Sequence, residues 1–288
     1  MVGTPVAMRM RCDGRRPPSG APEQGGPQSP MTTGRGNLQI DGVSEWAETT
    51  RNRMEQIARL AYNVVITGPP GSGKRHAARC LHLLSPRRER PFVPVDCATL
   101  RGDMFVSQLF GHEAGALPSA KGAALGALRA ADGGTIFLAR IDSLGLEEQE
   151  RLLSVVSAGR VRPLGVARAQ EIDVRFVASS LGDLQKEVQG QCFLPELYTR
   201  LEAVSLATVE LADRREDLAS LAARFLEEVA ADMHQPTKRL DARALARLVG
   251  HSWPGNVEEL RRVVQRAAVD ASGGVIAVDD LPELGDEI

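Results

Sequence analysis

Apolar positions between about residue 60 and residue 180 form short runs that alternate with helical periods. Four runs are rich in β-branched or aromatic residues and have the length of buried strands. Helical periods lie between them, and the first begins at Lys74 and ends before Pro86. Strands that alternate with helices indicate a parallel sheet covered on both faces. The predicted strands are Asn63–Thr67, Phe92–Asp96, Thr135–Ala139 and Val174–Ala178, and the predicted helices are Lys74–Leu84, Met104–Phe110, Ala123–Ala131 and Glu147–Val156.

The pattern changes after about residue 211, where no further strand is predicted. Three amphipathic helical patterns follow, over Glu216–Ala231, Asp241–Val249 and Asn256–Ala271. We therefore expect an α/β domain over residues 37–210 and a smaller helical domain over residues 211–288.

Residues 1–36 have a different composition from the rest. They hold six of the 17 prolines and seven of the 28 glycines without any hydrophobic period, which predicts a disordered tail. Five of the 35 basic residues but only two of the 37 acidic ones lie there, so the tail is basic and the remainder mildly acidic. A body of that sign is not expected to bind DNA directly. The tail is a solvated extension, a basic contact for nucleic acid or an acidic partner, or an overlong start upstream of Met31.

The sequence shows neither a membrane span nor a metal site. No run approaches the roughly 18 apolar residues of a membrane span. The four cysteines are far apart and no apolar signal peptide is visible, which predicts a reducing cytoplasm. No cysteine or histidine spacing matches a metal site, so no metal ligand is assigned.

One motif points directly to phosphate chemistry. It has the form G-x-x-x-x-G-K, follows a buried strand and opens a helix. Its glycines let backbone N–H groups surround a phosphate, and Lys74 reaches the outer phosphates. Arg75 follows where most such loops have a magnesium-binding hydroxyl, so we expect ATP or ADP with weak or absent magnesium. The expected nucleotide-binding residues are Gly68, Pro69, Pro70, Gly71, Ser72, Gly73, Lys74 and Arg75.

Four further segments carry motifs, namely Leu109–Ala116, Asp132–Leu138, Arg214–Asp217 and Trp253–Val257. Together with the phosphate loop they resemble the central AAA+ domain of bacterial sigma-54-dependent transcription activators, from about residue 40 to the C-terminus. The resemblance implies a P-loop AAA+ fold, a three-layer parallel sheet with a helical lid. It also implies assembly as a ring and contact with sigma-54 RNA polymerase.

The chain departs from that family at its acidic strand end. The resemblance places an Asp-Glu pair there, which supports magnesium and activates the attacking water, but the chain has Ala139 and Arg140. Neither side chain can coordinate magnesium or accept a proton at neutral pH. Loss of a positioned general base typically lowers the rate by ~10²–10⁴. Asp142 lies two residues further on, in the predicted turn.

Three further positions of the resemblance are changed in the same direction. Leu181 aligns with the polar sensor, and Glu258 with the lid arginine that touches the nucleotide. Leu194 and Arg200 align with the two arginines that a neighbouring subunit supplies, so only Arg200 survives. Loss of an arginine finger alone lowers turnover by ~10³–10⁵.

The polymerase-contacting loop of the family also differs. Residues 115–120 read Gly-Ala-Leu-Pro-Ser-Ala, where the family has Gly-Ala-Phe-Thr-Gly-Ala. Pro118 fixes φ and removes a donor, so an ordinary surface loop and a retained contact loop are both open. No helix-turn-helix is recognised before Ile288, so action through protein partners is expected.

The sequence thus favours a cytoplasmic, nucleotide-binding AAA+ regulator that hydrolyses slowly or not at all. Its expected partners are a related AAA+ activator, whose ring it blocks or joins, or sigma-54 RNA polymerase. Two alternatives stay open: an active ATPase with a rearranged site that uses Asp142 and Arg200, and a protein-binding scaffold with an empty loop.

Overall fold

The computed structural model describes residues 39–116 and 122–284, and its centre is a parallel sheet of five strands in the order β2-β3-β6-β1-β7. Two pairs of short strands, β4 with β5 and β8 with β9, lie outside this sheet. The strands are β1 Val64–Thr67, β2 Phe92–Asp96, β3 Thr135–Ala139, β4 Arg160–Val161, β5 Gln170–Glu171, β6 Arg175–Ser180, β7 Val204–Ala207, β8 Arg239–Leu240 and β9 Val275–Ile276.

Helices cover both faces of the sheet, which gives three layers. Alternate residues of a strand point to opposite faces, so Val64 and Ile66 pack against one group of helices and Val65 against the other. The first group contains α1 and α2, and the second contains α5 and α7. The helices of this part are α1 Glu45–Ala58, α2 Lys74–Leu83, α3 Gly102–Phe105 with a π-helical turn Val106–Phe110, α4 Ala127–Ala130, α5 Leu146–Ala158, α6 Leu184–Gln189 and α7 Pro195–Leu201.

The C-terminal part is helical and has an apolar core of its own. It begins with a 3₁₀ segment over Leu211–Asp217, and Trp253 is buried at its centre, where its indole Nε1 donates to Leu248 O at 2.9 Å. Its helices are α8 Leu218–Met233, α9 Ala242–Gly250 and α10 Asn256–Asp270.

The strand register places the carboxyl ends of several strands at one edge of the sheet. Thr67 at the end of β1 lies opposite Ser180 of β6, and Ala139 at the end of β3 lies opposite Asp96 of β2. The loops that follow these parallel strands therefore meet at this carboxyl edge, where ligands bind in open α/β sheets.

The predicted fold class, a three-layer parallel sheet with a helical lid, is confirmed. The fourth predicted strand, Val174–Ala178, is displaced, because β6 runs over Arg175–Ser180. The expectation of no strand after about residue 211 is wrong, because two-residue strands β8 and β9 pair there and are too short to leave a pattern. The sequence also did not predict β4, β5, β7, α1, α6 or α7. The domain boundary between residues 210 and 211 stays a prediction, and residues 1–36 lie outside the described part. No helix within the described ranges is long and apolar enough to cross a membrane.

Candidate functional site

The predicted phosphate loop joins β1 to α2 at the carboxyl edge. Its backbone turns through the left-handed region at Gly68, Gly71 and Gly73, with φ of 143°, 70° and 99°. A side chain at Gly68 is also excluded by space, because its Cβ would lie 2.1 Å from the Thr208 hydroxyl oxygen. These glycines fit a loop that must curve tightly around a ligand.

The start of α2 leaves amide donors beside this loop. The first amide that donates within the helix is that of Ala77, to Gly73 O at 2.9 Å. The N–H groups of Lys74 and Arg75 therefore have no acceptor within the helix, and they carry the positive end of the helix dipole. An anion at this position is stabilised by both effects.

Lys74 contacts the backbone of the loop. Its Nζ donates to Gly68 O and to Pro69 O, each at 2.7 Å. Burial lowers the pKa of Lys74, while the carboxylate of Asp142 opposes that shift. Arg75 is exposed on the first turn of α2. Lys74 is thus the cation that the structure places at the loop.

Hydroxyl groups fix the shape of the loop from inside. Ser72 Oγ donates to Pro69 O at 2.7 Å and lies 2.7 Å from Thr208 Oγ1. Thr208 Oγ1 in turn donates to Thr67 O at 3.0 Å. Ser72 therefore supports the loop, and Thr208, which carries no motif, was not predicted.

The strand-end position carries an arginine–aspartate pair. Arg140 follows β3 in a left-handed conformation, with φ of 55°. Its Nε donates to Asp96 Oδ1 at 2.9 Å, and its Nη2 donates to Oδ2 of the same carboxylate. This hydrogen bonding raises the pKa of Arg140 above its ordinary value. The guanidinium is therefore held as a cation in a two-point contact.

The ends of β2 and β3 offer no free side-chain oxygen to a magnesium ion. Ala139 offers no ligand, and both oxygens of Asp96 accept from Arg140. A cation in that place repels a second cation. Within residues 39–116 and 122–284, no group of three or more His, Cys, Asp or Glu side chains could hold a metal ion.

Asp142 lies in the turn after Arg140, between charged groups of the site. Its Oδ2 accepts from Leu181 N at 3.1 Å, whereas its buried Oδ1 has no hydrogen-bond partner among the described residues. Its negative charge opposes the lowering of the pKa of Lys74 and adds to the raising of the pKa of Arg140. Leu181 contributes only a backbone amide, and its side chain is exposed.

The remaining predicted positions lie further out. Leu194 caps α7, and its amide donates to Gln149 Oε1 at 2.8 Å. Arg200 is exposed on the same helix. The Glu258 side chain is exposed, while its backbone amide donates to Gly71 O at 3.2 Å. The structure thus brings the lid backbone to the loop, whereas Leu194 packs against the core of the sheet domain and Arg200 is exposed.

Two lid residues that the sequence did not single out also contact the loop. Arg214 Nη2 donates to Ser72 O at 3.0 Å, and Asn256 Nδ2 donates to Pro70 O at 2.9 Å. Both lie in motif segments, which was the available signal, but the motifs alone do not show what these side chains touch. Leu117–Ala120, the tip of the predicted polymerase-contacting loop, lies outside the described residues.

A glycine loop between the first strand and its helix, at the edge of a parallel sheet with a helical lid, defines a P-loop protein of the AAA+ type. Residues 40–207 match the Sigma-54 interaction domain, and residues 212–287 match an AAA+ ATPase lid domain. The chain therefore belongs to the sigma-54 interaction domain family, which confirms the predicted resemblance.

Individual relatives are transcriptional regulators. The chain is 35% identical over 257 residues to the regulatory protein LuxO of Vibrio cholerae, covering 87% of this chain and 48% of LuxO. It is 37% identical over 226 residues to the transcriptional regulatory protein ZraR of Escherichia coli, covering 78% of this chain and 51% of ZraR. The chain thus spans about half the length of these relatives.

Solved structures of similar proteins have a similar fold. NtrX from Brucella abortus in complex with ATP has a TM-score of 0.76 at 31% identity, covering 86% of this chain and 55% of that one. NtrX in complex with ADP has a TM-score of 0.74.

Proposed function

We propose that this chain is a nucleotide-binding AAA+ regulator of the sigma-54-dependent type that does not hydrolyse its nucleotide and acts through protein partners. The observation that carries the proposal is the pairing of Arg140 with Asp96 at the strand end. The family resemblance assigns that position to the residue that activates water. A guanidinium donates only and cannot take a proton from water at neutral pH.

The pair also makes a simple rearrangement unfavourable. Turning Arg140 away from the site would leave the Asp96 carboxylate without its two charge-assisted donors. Turning it toward the site would bring a second donor, not an acceptor, to the phosphates. In both cases the attacking water gains no base, which corresponds to a rate lower by ~10²–10⁴.

Nucleotide binding is supported by the loop itself. Its left-handed glycines, the free amides at the start of α2 and the half-buried Lys74 together favour an anion. The related NtrX structures contain ATP or ADP. Because Ala139 and Asp96 offer no free ligand to magnesium, we propose that binding depends little on this ion.

The proposed mode of action is through other proteins in the cytoplasm. Family membership supports contact with sigma-54 RNA polymerase or with a related AAA+ activator, and ring assembly. A subunit that docks into a ring without turning over ATP lowers the output of that ring. The division into a nucleotide-binding domain over 37–210 and a lid domain over 211–288 is part of the same proposal.

A second candidate, a working ATPase with a rearranged site, is favoured by one observation. Asp142 Oδ1 is buried without a hydrogen-bond partner in the described part of the chain, and its carboxylate lies near Lys74. Such an oxygen is an acceptor that a water or a cation can use. Asp142→Asn removes this acceptor without changing the size of the side chain.

The test compares binding and turnover in one set of variants. Wild type is expected to gain thermal stability with ADP or ATP, with or without magnesium, and to show no turnover above a Lys74→Ala control. Wild-type hydrolysis that Asp142→Asn abolishes would establish the second candidate instead. Absence of binding by the wild type would leave the scaffold with an empty loop.

Restoring the site requires three changes, because Arg140→Glu alone would set two carboxylates side by side. We expect Asp96→Asn, Ala139→Asp and Arg140→Glu together to raise turnover at least ~100-fold, the low end of a general base's contribution. Addition of Lys74→Ala to this triple variant must abolish the gain. If the triple variant binds ATP and stays inactive, the loss does not arise at this strand end.

A further inference from the structure

Residues of the lid donate hydrogen bonds to the carbonyl groups of the phosphate loop. Each carbonyl from Gly68 to Gly73 accepts a hydrogen bond, and three consecutive ones accept it from the lid. The three contacts are Asn256 Nδ2 to Pro70 O at 2.9 Å, Glu258 N to Gly71 O at 3.2 Å and Arg214 Nη2 to Ser72 O at 3.0 Å.

These contacts determine which way the amides of the loop point. In a trans peptide unit the C=O and the following N–H point in opposite directions. When the lid holds the carbonyls of Pro70 and Ser72, the N–H groups of Gly71 and Gly73 must point away from it. A carbonyl turned toward a phosphate would repel it, whereas an amide attracts it. The lid therefore fixes the face that the loop presents to an anion.

Arg214 is held firmly in its place. It is 3% exposed, and its guanidinium lies 4.1 Å above the ring of Trp46, whose Nε1 donates to Ala207 O. Burial lowers the pKa of Arg214 to about 10, so the group is still protonated at neutral pH. Its buried Nε has no hydrogen-bond partner among the described residues. Ser72 O is thus the acceptor that the structure gives this cation from the loop.

Asn256 joins the loop to the lid with both ends of its amide. Its Oδ1 accepts from Leu211 N at 2.8 Å while its Nδ2 holds Pro70 O, and its backbone is left-handed with φ of 54°. The contact is close, because a Cβ on Gly71 would lie 2.2 Å from Gly255 O. Gly71 is therefore required by the approach of the lid as well as by the turn.

We infer that Arg214 and Asn256 are positioning residues for the phosphates, so that lid docking and phosphate binding stabilise each other without either side chain having to touch the ligand. The inference deepens the proposed function and rests on it, since it needs a loop that binds nucleotide. In the family resemblance a lid arginine at position 258 touches the nucleotide. Arg214 and Asn256 act on the loop instead, so they replace that arginine only in part.

Neutral variants remove each contact, and Asn256→Gly also removes the acceptor of Leu211 N, which the next variant retains. Arg214→Met keeps much of the packing on Trp46 and removes the donor to Ser72 O. Asn256→Gly keeps the left-handed backbone and removes the donor to Pro70 O. Arg215→Met is the matched control, because Arg215 is exposed and donates to Val249 O and not to the loop.

Asn256→Asp separates the two hydrogen bonds of this residue. The carboxylate still accepts from Leu211 N but can no longer donate to Pro70 O. It also adds a negative charge near the loop. A loss of affinity in Asn256→Asp with none in Asn256→Gly would therefore be an effect of charge and would overturn the role of Asn256.

The affinities of the full chain for ADP and for inorganic pyrophosphate are measured by calorimetry below the melting temperature of each variant. We expect Arg214→Met and Asn256→Gly to weaken the binding of both ligands by about tenfold, because each loses a hydrogen bond that orients the loop. Pyrophosphate tests the loop alone, since it has no base. A loss confined to ADP would indicate a base contact and would overturn the inference, as would unchanged affinity for both ligands. If the wild type binds neither, the proposed function itself has failed.

Hydrogen exchange of the Glu258 amide gives a second measurement in the same samples. Since this amide donates to Gly71 O, pyrophosphate is expected to slow its exchange in the wild type and in Arg215→Met. The effect should be smaller in Arg214→Met. Equal protection in all three would contradict coupling between the lid and the loop.

Discussion

Ser44 Oγ donates to Asp217 Oδ2 at 2.7 Å, which joins the residue that caps α1 to the start of the lid. Asp217 Oδ1 also accepts from the amides of Val43 and Ser44, each at 2.7 Å, and Ser44 Oγ accepts from Ala47 N at 3.0 Å. The carboxylate is fully buried. It therefore orders the segment before α1 and the first turn of the lid at once.

Asp217→Ala is expected to lower the free energy of unfolding by about 3 kcal/mol, since it leaves three donors, two of them buried, without their acceptor. Asp217→Asn should lose less, because its amide oxygen still accepts two backbone N–H groups. Exposed Asp213 serves as the matched control in Asp213→Ala. Urea unfolding measures all three, and equal stability of Asp217→Ala and Asp213→Ala would contradict the role of this carboxylate.

Arg175 stabilises the end of α1 from the sheet. Its guanidinium donates to Ile57 O, Ala58 O and Tyr62 O at 3.1, 3.3 and 3.0 Å. Burial lowers the pKa of Arg175 to about 10. We expect Arg175→Met to cost about 2 kcal/mol of stability, because three carbonyls lose their donor. Exposed Arg160 gives the control Arg160→Met in the same urea titration, and equal midpoints would refute the expectation.

The sequence predicts the central strands well because both of their faces are buried. Val64–Ile66 and Ile136–Leu138 are therefore continuous apolar runs, a pattern that few other elements produce. The edge strand β7 has exposed residues at Ser205 and Ala207 and is only four residues long, so no run marks it. In α1 nine of the 14 residues are charged or polar, so no apolar run marks the helix, and tertiary contacts hold it in place.

The candidate site also has a part that the sequence predicts and a part that it does not. The phosphate loop is local in sequence, so its spacing alone predicts its chemistry. The pairing of Arg140 with Asp96 spans 44 residues, and that of Arg214 with Ser72 spans 142. Such contacts depend on strand register and on lid docking, which no local pattern encodes. From the family resemblance the sequence therefore predicts the loss of a base, but it does not predict which partner holds the arginine at that position.

Lys74 is expected to make nucleotide affinity depend on alkaline pH. Burial lowers its pKa below 10.5, and phosphate binds the protonated amine, so affinity should fall as pH rises through that lowered pKa. Lys74→Ala should weaken ADP about tenfold or more at neutral pH and remove this dependence. Lys186→Ala is the matched control, since Lys186 is an exposed lysine on α6. The same pH profile in wild type and Lys74→Ala would contradict the assignment.

His82 is expected to contribute to acid sensitivity. It is buried, its Nδ1 lies 3.0 Å from Thr135 Oγ1, and burial, followed by Arg175 and Arg79, lowers its pKa below 6.5. Because the folded state binds this proton less readily, its contribution to stability is present above pH 6.5 and falls as pH drops. His82→Gln should lose less stability than wild type between about pH 7 and about pH 5. Urea unfolding at both pH values, with exposed His234→Gln as control, measures the difference.

Arg200 is the residue through which mixed assembly with an intact relative can be tested. It is exposed on α7, and the family resemblance predicts that its position is that of an arginine supplied to a neighbouring subunit. If this chain joins the ring of an active relative, the proposed function predicts that its own site turns over no ATP while Arg200 reaches the neighbour. Adding the chain should therefore lower ATPase output per active subunit, and Arg200→Ala should lower it further. Arg160→Ala, which removes an exposed arginine elsewhere, should match the wild type. ATPase titration of a co-purified sigma-54-dependent activator decides the matter, because unchanged output at large excess of every variant excludes mixed rings as the mode of action.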